Sequence, residues 1–176
     1  MPRSQFYAQT HLQGPIQPNI GLDTAARQSV IEILNLLLAD EAVLSFNTHR
    51  ADGLAGGNGT TDLQSLYDSQ YQQINEIVLE IAERVKILGG LSLSGSEKTT
   101  HSTRLDGKLP VTPGIISLLA DQEAFIRFLR EDAQKCSELY EDQGTFGLLI
   151  GLLQRHEKMA WHLRSNIALE QFDPKK

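Results

Sequence analysis

The stretch TDLQSLYDSQYQQINEIVLEIAERVKILGG, residues 61–90, constrains the fold more than any other part of the chain. Leu63, Leu66, Tyr67, Ile74, Ile77, Val78, Ile81, Val85 and Leu88 recur mostly three or four positions apart, the period of an amphipathic helix. Thr61 with Gln64 reads as a capping box, and Gly89-Gly90 as a stop. The same helix carries Asp68 and Glu83 near its apolar stripe. Fifteen positions separate them by roughly 22 Å along the axis, too far for one ion. Two antiparallel copies about a two-fold axis would bring Asp68 of one chain to Glu83 of the other. The plainer alternative is that both acids solvate a helix edge.

The other periodic stretches are also helical. Asp23 or Thr24 caps a first helix predicted to run to about residue 51, with an apolar run, Ile33-Leu34-Asn35-Leu36-Leu37-Leu38, that needs cover on more than one side. Thr112-Pro113 opens a third helix to about residue 141, and Thr145 caps a fourth, with Phe146, Leu149, Leu152, Leu153, Met159, Ala160, Leu163 and Ile167 at helical spacing. Strand alternation is absent. The connections run short, long, short. Gly53 to Gly59 is a turn with neither the Lys-Ser/Thr nor the preceding strand of a phosphate loop, whereas residues 91–111 can travel the length of a bundle. Four long helices with one long crossover make an all-α, ferritin-like four-helix bundle. Residues 1–21 form a polar arm, 22–168 the bundle and 169–176 a tail.

Composition narrows the function. A net charge of −6 argues against a basic nucleic-acid-binding face. A single cysteine, Cys136, allows no internal disulfide and suits a reducing compartment. It is expected to pack or sit half exposed. The N-terminus lacks a signal-peptide core, and no apolar run reaches membrane-spanning length, so a cytoplasmic protein with no membrane partner is expected.

Three blocks, LNLLLADEAVLSFNTH, LYDSQYQQINEIVLEIAERVKILGG and LLQRHEKMAWHLRSNI, look in order and spacing like the Dps mini-ferritins over about residues 22–168. The resemblance implies a four-helix bundle with a short extra helix in the crossover between the second and third helices. It implies a homo-dodecameric hollow shell that stores iron oxide. In that family Fe(II) is oxidised, preferentially by hydrogen peroxide, at sites shared across two-fold interfaces, and many members bind DNA. Iron (Fe2+/Fe3+) is therefore the implied metal, with zinc as the alternative. Weak or no DNA binding is expected, because twelve copies would carry a formal charge of about −72.

Carried over residue by residue, the family's two histidine positions fall on Asp52 and Gln64. Gly53 stands at its tryptophan and Gly57 at its glycine. Asp68 matches the acid one turn after the second histidine. The partner subunit's Asp and Glu positions are Leu79 and Glu83. The resemblance therefore implies a metal set of Asp52, Gln64, Asp68 and Glu83, with His49, one turn before Asp52, as a candidate to compensate. Oxygen ligands replace imidazole, which suits hard cations and predicts slow Fe(II) oxidation. The rival expectation is a non-catalytic shell that keeps the assembly alone.

Elsewhere, Trp161 and Met159 are read as core packing, and His156, with no carboxylate partner in its own helix, as facing solvent or an interface. Glu141 and Asp142 are candidates for acids lining a three-fold pore, since Gly147 stands nearest the family's most typical pore acid.

Overall fold

A computed structural model describes residues 17–55, 61–92, 103–105 and 114–171, with backbone alone at 52–55, 61 and 169–171. Four helices account for nearly all of it: α1 (Thr24–Ala55), α2 (Thr61–Ile87), α3 (Ile115–Glu138) and α4 (Gln143–Gln171). The N-terminal arm to residue 16, the crossover residues 93–102 and 106–113, with them most of the connection expected to carry a short extra helix, and the Thr112-Pro113 opening lie outside the described residues.

Each helix end has a local cause. Asp23 Oδ1 accepts the Ala26 N–H at 2.7 Å and caps α1, which continues four residues past the expected end. The α2 stop is a Schellman turn: Gly90 N–H reaches Val85 O and Gly89 N–H reaches Lys86 O, both at 2.9 Å. Gly89 has φ +85°, and a Cβ on Gly90 would fall 2.8 Å from Ile31 Cδ1, so this pair needs glycine twice over. At α3, Ser117 Oγ accepts from Gly114 N–H at 3.0 Å. α3 ends at Glu138, three residues short of expectation. The cap of α4 is Asp142 rather than Thr145: its Oδ1 accepts the Thr145 N–H at 2.9 Å, making Thr145 the capped residue.

Long-range contacts fix the directions. Ser45 meets Asn75 and Asn35 meets Leu91, so α2 runs back along α1. Glu123 meets Arg164 and Arg130 meets Glu157, so α4 runs back along α3. Asn47–Asp121 together with the Arg104 bridge between Asp40 and Asp132 makes α3 antiparallel to α1, and Gln70–Met159 together with Arg84–Thr145 makes α4 antiparallel to α2. It follows that α2 and α3 are parallel, and the connection between them must return along the bundle. Its described part is pinned on the way: Asn35 Nδ2 donates to Leu91 O, and Arg104 docks on α1 and α3.

The main core joins all four helices through Leu34, Leu37, Leu38, Leu44, Ile74, Ile77, Ile81, Phe125, Leu129, Leu149 and Leu152, with Leu105 added by the crossover. At about 25 cal/mol per Å² of apolar surface removed from water, these side chains dominate the drive to fold. A second cluster, Ala51, Tyr67, Leu118 and Leu163, closes the end where α1 finishes and α3 begins.

Candidate metal site and its surroundings

The expected ligands lie on the α1–α2 hairpin. Asp68 and Glu83 are exposed, and between them run Gln72, Glu76 and Leu79, all exposed as well, with Ile87 one turn beyond. These residues form one stripe along α2. Gln72 Nε2 donates to Asp68 Oδ2 at 3.1 Å, which holds that carboxylate against its own helix. Gln64 is exposed one turn before Asp68. His49 is exposed on α1 with its ring 4.9 Å from that of Tyr71.

The Ser45–Asn75 and His49–Tyr71 contacts set a register in which successive turns of α1 meet receding turns of α2. The same register brings the backbone of residue 52 level with residue 68. Asp52, Asp68 and Gln64 therefore belong to one end of the hairpin, and His49 to the next turn. Glu83 lies near its other end. Among the described residues of one chain, no three His, Cys, Asp or Glu side chains converge in a way that could hold a metal ion.

Large apolar side chains stand exposed among the polar residues of this hairpin. Leu79 is 70% exposed and Phe46, on the α1 side, 49% exposed. Isolated surface apolar residues are ordinary, but large ones grouped on one helix pair mark a contact surface.

Three residues depart from expectation. Trp161 does not pack in the core: it is 56% exposed, its ring 4.6 Å from that of His162, while Met159 is buried as expected. Helical period places these two neighbours on different faces, and only Met159 points inward. His156 does not face solvent: it is fully buried between Gln122 of α3 and Glu41 of α1. Its carboxylate partner comes from a helix 115 positions away in sequence. The available signal was Asp40-Glu41, two acids set within the apolar run from Leu37 to Leu44. Asp142 is buried and cannot line a pore: Arg84 NH2 holds it at 2.8 Å while it caps α4. Glu141 is exposed beside it.

Cys136 is fully buried. Burial above all, with the carboxylates of Asp142 and Asp132 adding to it, pushes its thiol up to about 12. A thiol held neutral in this way is neither nucleophile nor metal ligand.

Four helices with the long connection between parallel α2 and α3 define the ferritin-like class of bundle. The Ferritin-like domain model matches residues 31–172. The chain belongs to that family, as a Dps-type mini-ferritin. It is 35% identical over 160 residues, 89% of each chain, to an uncharacterized low temperature-induced protein of Nostoc sp.. It is 29% identical over 167 residues to a nutrient stress-induced DNA-binding protein of the same organism, covering 91% of this chain and 90% of that one. DpsC from Streptomyces coelicolor superposes with a TM-score of 0.79 at 25% identity, over 86% of this chain and 90% of that one. No described helix is long and apolar enough to cross a membrane.

Proposed function

We propose that this chain is the subunit of a cytoplasmic iron-storing dodecamer whose oxidation sites lie across two-fold contacts between α1–α2 hairpins. Asp52, Gln64 and Asp68 of one chain face Glu83 of the partner subunit, with His49 beside them. Iron is the substrate and cargo: hydrogen peroxide takes one electron from each of two Fe(II) ions, and the ferric product is deposited inside the shell. The observation that carries this reading is the exposed α2 stripe, with Asp68 and Glu83 at its two ends and Leu79 between them. A dyad pairing those acids crosses α2 between Asn75 and Glu76. The Ser45–Asn75 contact puts Phe46 at the same level, so an exposed aromatic side chain falls where two copies would meet. A ligand set rich in oxygen holds Fe(II) less firmly than a mixed imidazole site, so oxidation is slow.

Leu79, standing where the family places an acid, favours a second reading in which the shell assembles without rapid oxidation. One experiment decides between them. Fe(II) is loaded anaerobically, hydrogen peroxide is added, and ferric absorbance is followed beside an Asp68→Ala, Glu83→Ala double variant. A peroxide-dependent rise that the double variant loses supports the oxidising site; equal slow traces leave the shell alone. Light scattering should give roughly 230 kDa, twelve copies of a 19.5 kDa chain, and a stable monomer would overturn both readings. Although one relative is named as DNA-binding, the net charge of −6 per chain leads us to expect no gel shift at about 150 mM salt.

A further inference from the structure

The seam between α1 and α3 stays open toward the end where α1 begins. A cavity of about 430 Å3 runs along it. Its floor is Ile33 and Leu36 of α1 with Phe128 of α3 and Tyr140 just beyond α3, each only partly buried. Arg104 closes one end, its guanidinium 4.5 Å from the Phe128 ring centroid and bound to Asp40 and Asp132. Lys135, the other cation of the lining, is bound to Asp132 as well. Ser29 marks the opposite end. Glu32 and Glu131 stand exposed on the rim, with no ion-pair partner among the described residues. Apolar side chains grouped in a concave seam under a charged rim mark a binding groove rather than ordinary surface.

The occupant has to be apolar and free of acids. Both cations of the lining already answer Asp40 and Asp132, which leaves the rim negative. The chain carries a segment of that character next to the groove. Residues 1–22 contain no Asp or Glu; they hold Arg3 and His11, with Leu12 and Ile16 four positions apart. The root of this arm is fixed: Gln17 Oε1 accepts from Arg27 NH1 at 3.4 Å, and Pro18 lies against Gly89. Arg27 is two residues before Ser29. From Arg27 to Leu36 α1 rises about 14 Å, and six extended residues span about 20 Å, so residues 11–16 reach along the whole groove. Gly14 and Pro15 oppose a helix there, and in extended backbone Leu12 and Ile16 share one side. We propose that this groove is the seat of residues 11–16 of the same chain. Ile16 packs against Ile33 and Tyr140, Leu12 against Leu36 and Phe128, and His11 comes beside Glu131. A tether rooted at the mouth of the groove gives the chain's own arm a higher effective concentration than an arm from another copy.

The test uses the full-length protein carrying Leu12→Cys and Leu36→Cys together. Cys136, buried and held protonated, does not compete. Mild oxidation with copper phenanthroline should join the pair within one chain, read as a single-chain band on a denaturing gel and a cross-linked peptide by mass spectrometry. Leu12→Cys with Gln154→Cys, exposed on α4, should stay reduced. A covalent dimer would seat a second copy's arm in the groove and overturn the proposal, as would equal cross-linking to both positions. A thermal cycle gives a readout without cysteines. Leu12→Ala is expected to lower Tm by about 2–4 °C in the unmodified background and by less than about half of that beside Leu36→Ala. An unchanged Tm in Leu12→Ala, or an equal loss in both backgrounds, overturns the proposal. Neither measurement involves iron, so failure here is distinguishable from failure of the dimer contact.

Discussion

Arg104 grips Asp40 and Asp132 at once: its Nε donates to Asp40 Oδ2 at 2.8 Å and its NH1 to Asp132 Oδ2 at 2.7 Å. Both carboxylates are buried, one on α1 and one on α3, and Asp40 also takes the Arg104 N–H and the Thr103 hydroxyl. The guanidinium lies over Phe128, 4.5 Å from the ring centroid. One crossover residue thereby ties the returning chain to two helices.

Removing that cation leaves the buried Asp40 with neutral donors alone and the buried Asp132 with only the half-exposed Lys135. Arg104→Ala is expected to lower unfolding free energy by about 3–5 kcal/mol, measured by urea denaturation at fixed protein concentration. Arg104→Lys should recover only part, since an ammonium cannot span both carboxylates in a fork. A loss under about 1 kcal/mol would show that the clasp is incidental.

Glu141, in the turn between α3 and α4, has φ +52°, a left-handed conformation disfavoured by its Cβ. Its side chain is exposed, so replacement removes no buried contact. Glu141→Gly should stabilise the protein by about 1 kcal/mol, visible as a rise in Tm. A fall in Tm would mean that the carboxylate has a contact in the assembly.

Cys136 should resist thiol reagents in the native protein at pH 8 and react promptly once the chain is unfolded. The folded thiol titrates near 12 against an ordinary value of 9.0. The native state therefore keeps a proton that the unfolded state releases between those values. Its contribution to stability is complete below about pH 9 and is lost as pH rises from there toward 12. Cys136→Ala should flatten that alkaline decline, and an identical decline in the variant would assign it to other groups.

If the dimer contact oxidises iron through an imidazole-poor ligand set, restoring the family's residues should accelerate it. Asp52→His, Gln64→His and Leu79→Asp together are expected to raise the initial Fe(II) oxidation rate with peroxide at least about tenfold. Stopped-flow absorbance reads the change. An unmodified protein already as fast as the triple variant would point to another ligand, and His49→Ala would then identify it or clear it.

If the proposed two-fold contact has Phe46 and Leu79 at its centre, it should not tolerate charge. Phe46→Glu is expected to shift the light-scattering mass well below the assembled value while circular dichroism stays helical. An intact assembly would move the interface elsewhere.

The sequence by itself determined that four helices form and how they are connected. Apolar residues at helical spacing, Gly89-Gly90 and the short, long, short connections are local signals, and they suffice for a bundle with one crossover. They also place Asp68 and Glu83 on one helix, too far apart to serve one ion. Only the tertiary structure decided what lies opposite each face. Periodicity sorts side chains into inner and outer without naming neighbours. It thus gave no sign that His156 would meet Glu41 from α1, that Arg84 would draw Asp142 away from the surface, or that Arg104 would bridge Asp40 and Asp132. The reason is angular: one residue turns a helix by about 100°, so the difference between Met159 in the core and Trp161 in solvent depends on how α4 is rotated against its neighbours. That rotation is fixed by the packing of all four helices together, information that no single stretch contains.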